Sequence, residues 1–126
     1  MPNFKSIFKV VQPGQDSAAP GGDIRSRIEQ DVSSNDILIY MKGTPDSPQC
    51  GFSAATIEVF NSLGVPYSTR DVLADPELRQ GIKAFSNWPT IPQVYVKGQF
   101  LGGCDIVTEM YQRGELQQVV QDALGK

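Results

Sequence analysis

Histidine is absent from the 126 residues of this sequence, and only 2 cysteines are present. The missing imidazole excludes carboxylate–histidine triads, histidine general bases and zinc or iron sites with histidine ligands. Two cysteines, Cys50 and Cys104, are too few for a disulfide-stabilised scaffold or for a four-thiolate metal site within one chain. What remains is the chemistry of a lone nucleophilic or metal-binding thiol, which fits a reducing intracellular compartment.

Long apolar runs and basic clusters are also missing. No run approaches the roughly 20 apolar residues that a membrane-spanning helix requires. The 11 Lys and Arg residues and 14 Asp and Glu residues give a formal net charge of −3. Because no basic patch is interleaved with aromatic residues, we do not expect nucleic acid among the partners. Because no long apolar run is present, we do not expect a membrane among them either.

The first 22 residues differ in composition from the rest of the chain. Residues 12–22 are rich in Pro, Gly and small residues, which is typical of a flexible linker. Before them, four apolar side chains fall on one helical face, which is a feature of targeting peptides. Residues 1–22 are therefore predicted to be either a flexible extension or the remnant of a targeting peptide. The remainder, residues 23–126, is long enough for one domain with a buried core.

Hydrophobic periodicity predicts alternating helices and strands from Asp23 onward. The first predicted elements are a helix capped by Asp23, a strand over 37–41, a helix over about 51–63 that ends at Gly64, and a strand within 65–71. They are followed by a helix begun by Asp75-Pro76, strands over 93–96 and 99–101 joined by a Lys97-Gly98 turn, and two helices separated near Gly114. This order predicts an α/β fold with a mixed sheet of about four strands flanked by helices.

Cys50 lies between a predicted strand and a predicted helix, after the turn-rich residues 42–49. Backbone N–H groups at a helix N-terminus have no partners, and the helix dipole is positive there. That environment favours the thiolate, which is the form that attacks sulfur or binds metal. Ser53 stands where a dithiol oxidoreductase would carry its second cysteine, so the site offers one reactive sulfur.

Three further segments are predicted to converge on this thiol. The first contains Lys42, whose ammonium group can lower the pKa of Cys50 or hold a ligand carboxylate, although a solvated lysine at a strand end is the usual alternative. In the second, two prolines make residues 88–92 rigid and extended. A cis bond before Pro92 would turn the backbone of Ile91 toward a bound peptide.

The third segment, Gly102-Gly103-Cys104-Asp105, precedes a predicted helix. Glycine lets a backbone approach a ligand closely, and free N–H groups at a helix start bind anions. Asp105 either caps this helix or receives a ligand ammonium group. Cys104 is either a small buried apolar residue or a redox partner, and the sequence leaves both open.

Five sequence blocks occur in the order and spacing of the monothiol glutaredoxins of the Cys-Gly-Phe-Ser class, which the chain resembles over about residues 24–124. The blocks are Lys42-Gly-Thr-Pro45, Pro48-Gln-Cys-Gly-Phe-Ser53, Asp75-Pro-Glu-Leu-Arg-Gln-Gly-Ile-Lys83, Asn87-Trp-Pro-Thr-Ile-Pro92 and Gly102-Gly-Cys-Asp105. The resemblance implies a thioredoxin fold with a cis-proline at Pro92. It also implies glutathione binding beside the reactive cysteine and transfer of a [2Fe–2S] cluster.

The resemblance also implies roles for individual residues. Cys50 would be the reactive thiol and the cluster ligand. Lys42 and Arg79 would hold the glycine carboxylate of glutathione, and the backbone of Ile91 would pair with its cysteinyl unit. The remaining implied glutathione contacts are Thr90, Pro92, Gly103, Cys104 and Asp105, of which the last two would bind the γ-glutamyl end.

A [2Fe–2S] cluster needs four terminal ligands, which are usually thiolates. If the resemblance holds, two protomers with two glutathiones supply all four, so we expect a homodimer in the cluster-bound state. Iron–sulfur acceptor apo-proteins and a small BolA-like protein are the other expected partners. Such proteins occur in the bacterial cytosol, the mitochondrial matrix and plastids, and an N-terminus without arginine favours the bacterial cytoplasm.

Two other functions remain open from the sequence. A glutathione-dependent thiol–disulfide oxidoreductase needs only Cys50 to attack a mixed disulfide and external glutathione to resolve it. The missing second cysteine of the Cys-x-x-Cys pattern, together with the residues between Lys42 and Cys50, makes this a minor activity in our interpretation. A redox sensor would instead join Cys50 and Cys104 in a disulfide, which depends on a separation that a sequence does not give.

Overall fold

Helices and strands alternate through residues 20–125, which are the residues that the computed structural model describes, with side chains from Ile24 onward. The helices of this part of the chain are α1 (Pro20–Ser34), α2 (Gly51–Leu63), α3 (Pro76–Ser86), α4 (Cys104–Arg113) and α5 (Glu115–Leu124). Its strands are β1 (Ile37–Met41), β2 (Gly43–Thr44), β3 (Ser47–Pro48), β4 (Ser68–Asp71), β5 (Gln93–Val96) and β6 (Gln99–Gly102). None of these helices has the length and apolar character needed to cross a membrane.

Four of the strands form one mixed sheet in the order β4-β1-β5-β6. The central strand β1 runs parallel to β4 and antiparallel to β5, and β5 pairs antiparallel with β6. Every residue of β1 is buried, as expected for a continuous apolar strand that is covered on both faces. The predicted mixed sheet of four strands flanked by helices is confirmed.

The strand β1 contributes to a separate hydrophobic core on each face of the sheet. Ile37, Ile39 and Met41 point to the core formed with α2, α4 and α5. Leu38 and Tyr40 point to the core formed with α1 and α3. The division follows from the two-residue period of a strand, which sends successive side chains to opposite faces.

Three local signals in the sequence are confirmed: the cap at Asp75, the helix end at Gly64 and the Lys97-Gly98 turn. The carboxylate of Asp75 accepts a hydrogen bond from the Leu78 backbone N–H at 3.2 Å, so it caps α3 as predicted. Gly64 ends α2 in the left-handed conformation with φ of 69°. Lys97 and Gly98 both have positive φ, 52° and 80°, which is the requirement for a tight turn between two antiparallel strands.

The structure differs from the sequence-based prediction at the start of the first helix. α1 begins at Pro20, so Asp23 lies inside this helix and its predicted role as the cap is wrong. Proline is favoured in the first helical turn, because its missing N–H would have no helical partner there. The strand predicted within residues 65–71 is β4 (Ser68–Asp71), and all four of its residues pair with β1. Residues 1–19, the rest of the predicted extension, lie outside the described residues.

A short hairpin between β1 and Cys50 was not predicted. Residues 42–49 were expected only as a turn-rich stretch, yet β2 and β3 pair there, with Gly43 opposite Pro48 and Thr44 opposite Ser47. Strands of two residues carry no alternation of apolar and polar side chains that a sequence pattern can reveal. The hairpin sets the path of the chain into the site.

Candidate functional site

The thiol of Cys50 stands at the N-terminus of α2. Its backbone is extended (φ −154°, ψ 136°), and its side chain is half-buried and makes no regular capping hydrogen bond. The nearby backbone N–H groups of Ser53 and Phe52 are the leading causes that lower the pKa of this thiol from its ordinary value. The charge of Lys42 and the Ser53 hydroxyl act in the same direction, whereas burial opposes them. The direction agrees with the thiolate expected at a helix start.

Alkylation of Cys50 by iodoacetamide is expected to persist to lower pH than alkylation of an ordinary cysteine. Because the folded-state pKa is lowered, more thiolate survives as the pH falls. The same interaction stabilises the fold above the unfolded-state pKa, and this contribution is lost as the pH falls through the folded-state pKa. Mass spectrometry of the Cys50 peptide gives the rate at each pH, and the chain unfolded in denaturant is the control. If the pH midpoint of Cys50 alkylation were the same in the folded and the unfolded chain, a thiolate stabilised by α2 would be contradicted.

Ser53, at the position where a dithiol oxidoreductase carries its second cysteine, has a structural role. The residue is fully buried, and its hydroxyl accepts a hydrogen bond from the backbone N–H of Lys42 at 3.1 Å. This bond ties the first turn of α2 to the end of β1. Cys50 is therefore the one sulfur that this turn presents.

Hydrogen bonds hold Lys42 on both sides of its backbone. Its N–H donates to Ser53, and its carbonyl oxygen accepts from the Gln49 N–H at 2.9 Å. The carboxylate of Asp71, at the end of β4, accepts the N–H of Gly43 at 2.9 Å. The backbone of Lys42, next to the thiol, is therefore held by three segments of the chain.

A groove of about 380 Å³ opens beside Cys50. The predicted site residues that line it are Lys42, Cys50, Thr90, Ile91, Pro92 and Cys104. The Ile91–Pro92 bond is cis, as the resemblance implied. The lining is completed by Phe52, Lys83 and Pro89, which were not among the predicted site residues, although Pro89 belongs to the segment predicted to converge on the thiol.

A second, more open hollow of about 540 Å³ adjoins the groove. It shares Cys50, Phe52 and Cys104 with the groove and is also lined by Asp105 and Thr108. Phe52 is 62% exposed, although its side chain is large and apolar. The thiol thus lies where a narrow groove and a broad, largely apolar surface meet.

Arg79 and Gly103 line neither of these spaces. Arg79 is half-buried on α3, and Lys83, one helical turn further on, reaches the groove instead. The sequence carries one signal for Lys83: it lies four residues after Arg79, and residues four apart share one helix face. Gly103 is buried, and a Cβ there would be 3.3 Å from both the Pro92 carbonyl oxygen and the Trp88 Nε1. Because Gly103 has no side chain, the start of α4 packs closely against the loop that contains Trp88 and Pro92.

Cys104 is the first residue of α4 and lines both spaces. Both cysteines are free thiols, and Cys104 is half-buried rather than part of a core. Its sulfur lies 3.9 Å from the hydroxyl oxygen of Thr108. Its neighbour Asp105 is exposed in the first turn of the helix, so both residues face solvent beside Cys50.

Comparison with known proteins gives consistent relatives. The glutaredoxin family model matches residues 37–101, just over half of the chain. The chain is 56% identical over 102 residues to an uncharacterized monothiol glutaredoxin ycf64-like protein of Synechocystis sp., covering 81% of this chain and 95% of that protein. It is 44% identical over 123 residues to the mitochondrial monothiol glutaredoxin-S15 of Arabidopsis thaliana, covering 98% and 69%.

A solved structure agrees with these sequence relatives. The solution structure of reduced poplar apo GrxS14 matches with a TM-score of 0.74 and 42% sequence identity, covering 86% of this chain and 99% of that one. The thioredoxin fold implied by the sequence blocks is confirmed. The position of Cys50, the buried hydroxyl at position 53 and the cis-proline loop all lie within a region shared with these relatives. The chain belongs to the glutaredoxin family, in its monothiol class.

Proposed function

We propose that this protein is a carrier of [2Fe–2S] clusters. It binds glutathione beside Cys50, holds one labile cluster between two protomers, and transfers that cluster to acceptor proteins in iron–sulfur cluster biogenesis. The observation that carries the proposal is a single thiol of lowered pKa at the junction of two open spaces. A thiolate in this position is accessible both to a small ligand in the groove and to a second macromolecule on the hollow.

The donor set fits a cluster that two protomers share. Within residues 24–125, whose side chains the structure describes, no three His, Cys, Asp or Glu side chains come together in a way that could hold a metal ion. Cys50 supplies one thiolate, and the thiol of a glutathione bound in the groove would supply a second. Since a [2Fe–2S] cluster needs four terminal ligands, two protomers with one glutathione each complete the set. Half of the ligands are then non-covalently bound, which suits cargo that must be released.

The groove has a volume and a charge pattern suited to glutathione. Its volume of about 380 Å³ is in the range of small-molecule sites. Lys42 and Lys83 both line it, so two ammonium groups are available for the carboxylates of the tripeptide. Asp105, exposed beside Cys104, is available for the γ-glutamyl ammonium group. Arg79 does not line the groove, whereas Lys83 on the same helix does. Binding of the glycine carboxylate of glutathione by Arg79 therefore stays a prediction.

The hollow beside the thiol supports the proposed partners. The exposed Phe52 side chain and the open apolar surface around Cys50 would be buried against a second protomer, which would shield the cluster from water. We propose that the cluster-bound state is a homodimer. A BolA-like protein is the proposed heterologous partner on the same surface, and apo-proteins that accept the cluster dock there in turn.

We place this function in the bacterial cytoplasm, with the mitochondrial matrix and plastids as alternatives. The proposal is supported by the Synechocystis relative, while the Arabidopsis relative is mitochondrial by name. All three compartments keep thiols reduced, which a lone reactive cysteine requires.

A weak thiol–disulfide activity is a second candidate, because the lowered pKa of Cys50 favours nucleophilic attack. In that reaction the Cys50 thiolate attacks the glutathionyl sulfur of a mixed disulfide and releases the target thiol. A second glutathione thiolate then attacks the same sulfur, which frees Cys50 and yields glutathione disulfide. With Ser53 in place of a resolving cysteine, each turnover waits for the external thiol. A sensor based on a Cys50–Cys104 disulfide is a third, lesser proposal, since both thiols line the same spaces.

Anaerobic reconstitution with iron, sulfide and glutathione tests the carrier function. We expect a brown dimer with one [2Fe–2S] cluster per two chains, measured by visible absorption, size and iron and sulfide counts. Omission of glutathione is the control and should leave the protein colourless. A colourless monomer in the presence of glutathione would overturn the carrier proposal and leave thiol–disulfide exchange as the function to test.

A further inference from the structure

Gln93 is a fully buried polar residue directly after the cis bond between Ile91 and Pro92. Its side-chain Nε2 donates hydrogen bonds to the carbonyl oxygens of Trp88 at 3.1 Å and of Thr90 at 3.2 Å. Both donor hydrogens of the amide are thus used on the loop that forms one wall of the groove. Gln93 itself does not line the groove.

Tyr95 fixes the other end of the same amide. Its hydroxyl donates to Oε1 of Gln93 at 3.2 Å, and burial raises the pKa of this phenol to about 12, so the proton needed for the bond is present. The ring is packed against Tyr40, Phe85 and Phe100, at centroid distances of 5.7, 6.1 and 5.4 Å. The Gln93 amide has one orientation that satisfies both carbonyls and the hydroxyl together.

Gln93 and the loop that it bonds differ in backbone pairing and exposure. Gln93 is the first residue of β5, and its backbone is paired with Tyr40 of the fully buried central strand. Residues 87–92 contain no helix or strand, and Pro89 and Thr90 are exposed. At the other end of this loop, the Trp88 N–H donates to the Ser86 hydroxyl at 3.1 Å. The bonds from Gln93 therefore connect the groove wall to the centre of the sheet.

We propose that Gln93 is a positioning residue for glutathione binding. By holding the carbonyls of Trp88 and Thr90, it fixes the loop in the shape that presents Thr90 and Ile91 to the ligand. The inference rests on the proposed function, because glutathione is the ligand in question. It assigns to a buried glutamine a role in affinity as well as in folding.

Titration with reduced glutathione tests the inference in the full-length protein. Trp88, the only tryptophan of the chain, reports binding by fluorescence, with NMR shifts as a second readout. Gln93→Leu has nearly the same size but lacks the amide, and we expect about tenfold weaker binding, by analogy with the loss when the hydrogen-bond partner that orients a metal ligand is removed. The pH dependence of Cys50 alkylation should be unchanged, because α2 holds the thiol independently of the loop.

A matched control separates positioning from a general loss of stability. Val120→Ala truncates a buried side chain on α5, in the core on the opposite face of the sheet, and should bind glutathione like the wild type. Tyr95→Phe keeps the ring but frees one end of the amide, and we expect a smaller loss of about threefold, since only one of the three bonds disappears.

The outcomes are distinct. Wild-type affinity in folded Gln93→Leu overturns the inference while leaving the proposed function intact. If Gln93→Leu does not fold, Tyr95→Phe decides, and wild-type affinity in that variant overturns the inference. An equal loss in Val120→Ala would also overturn it, because the effect would then be one of stability. Absence of glutathione binding to the wild type would remove the proposed function itself.

Discussion

Replacement of Cys50 by serine is expected to abolish binding of the [2Fe–2S] cluster, whereas Cys104→Ser should retain most of it. A serine hydroxyl stays protonated near neutral pH and is a poor ligand for iron, so a dimer of the Cys50→Ser variant loses both of its protein ligands at once. Cys104 lines the same groove, but its expected contact with glutathione uses the start of α4, whose backbone N–H groups a serine preserves. Reconstitution followed by visible absorption and iron and sulfide counts measures both variants.

The comparison between the two cysteines is informative because their surroundings are similar. Both are half-buried free thiols at the N-terminus of a helix, so each serine variant should unfold at nearly the wild-type denaturant concentration. Equal loss of the cluster in both variants would make Cys104 a ligand. One protomer would then supply two thiolates, and the cluster should form without glutathione. That result would remove the reason for a glutathione-dependent dimer.

Signals carried by neighbouring residues account for the parts of the fold that the sequence predicted well. The apolar run at β1 predicts a strand covered on both faces, and this strand proves fully buried. Asp75 and Gly64 mark helix ends because their effects act within one turn. Cys50 could be assigned for the same reason: the thiol and the N–H groups that stabilise its thiolate lie within four residues.

The features that were missed depend on contacts between distant segments. Lys83 reaches the groove only because α3 packs with this face toward the loop before β5, and a sequence shows just its spacing from Arg79. Gln93 looks like an ordinary polar residue at a strand start, yet it is fully buried because its partners come from the preceding loop and from Tyr95. The β2–β3 hairpin is too short to show a period, and its geometry depends on Gly43.

Gly43→Ala is expected to be far more damaging than its size suggests. Gly43 has φ of +93°, and a Cβ there would lie 2.6 Å from the Ser47 carbonyl oxygen and 2.8 Å from the Gln49 backbone N. Since both contacts are to backbone, the hairpin must move. We expect a loss of about 3 kcal/mol in the free energy of unfolding, which combines left-handed strain with overpacking. Glutathione binding should weaken as well, because the same hairpin positions Lys42 and leads into Cys50.

Gly64→Ala separates the two causes of that loss. Gly64 also has a positive φ, +69°, but a Cβ at this position, at the end of α2, would have no atom within 4 Å. Gly64→Ala therefore introduces only the strain of a left-handed alanine, and we expect it to lower the free energy of unfolding by about 1 kcal/mol. The variant should bind glutathione and the cluster normally. Urea unfolding measures both variants. Equal losses would mean that the hairpin accommodates a methyl group freely and that Gly43 is required for its backbone conformation alone. A larger loss in Gly43→Ala, accompanied by weaker glutathione binding, would show that close packing of the hairpin holds Lys42 beside the thiol.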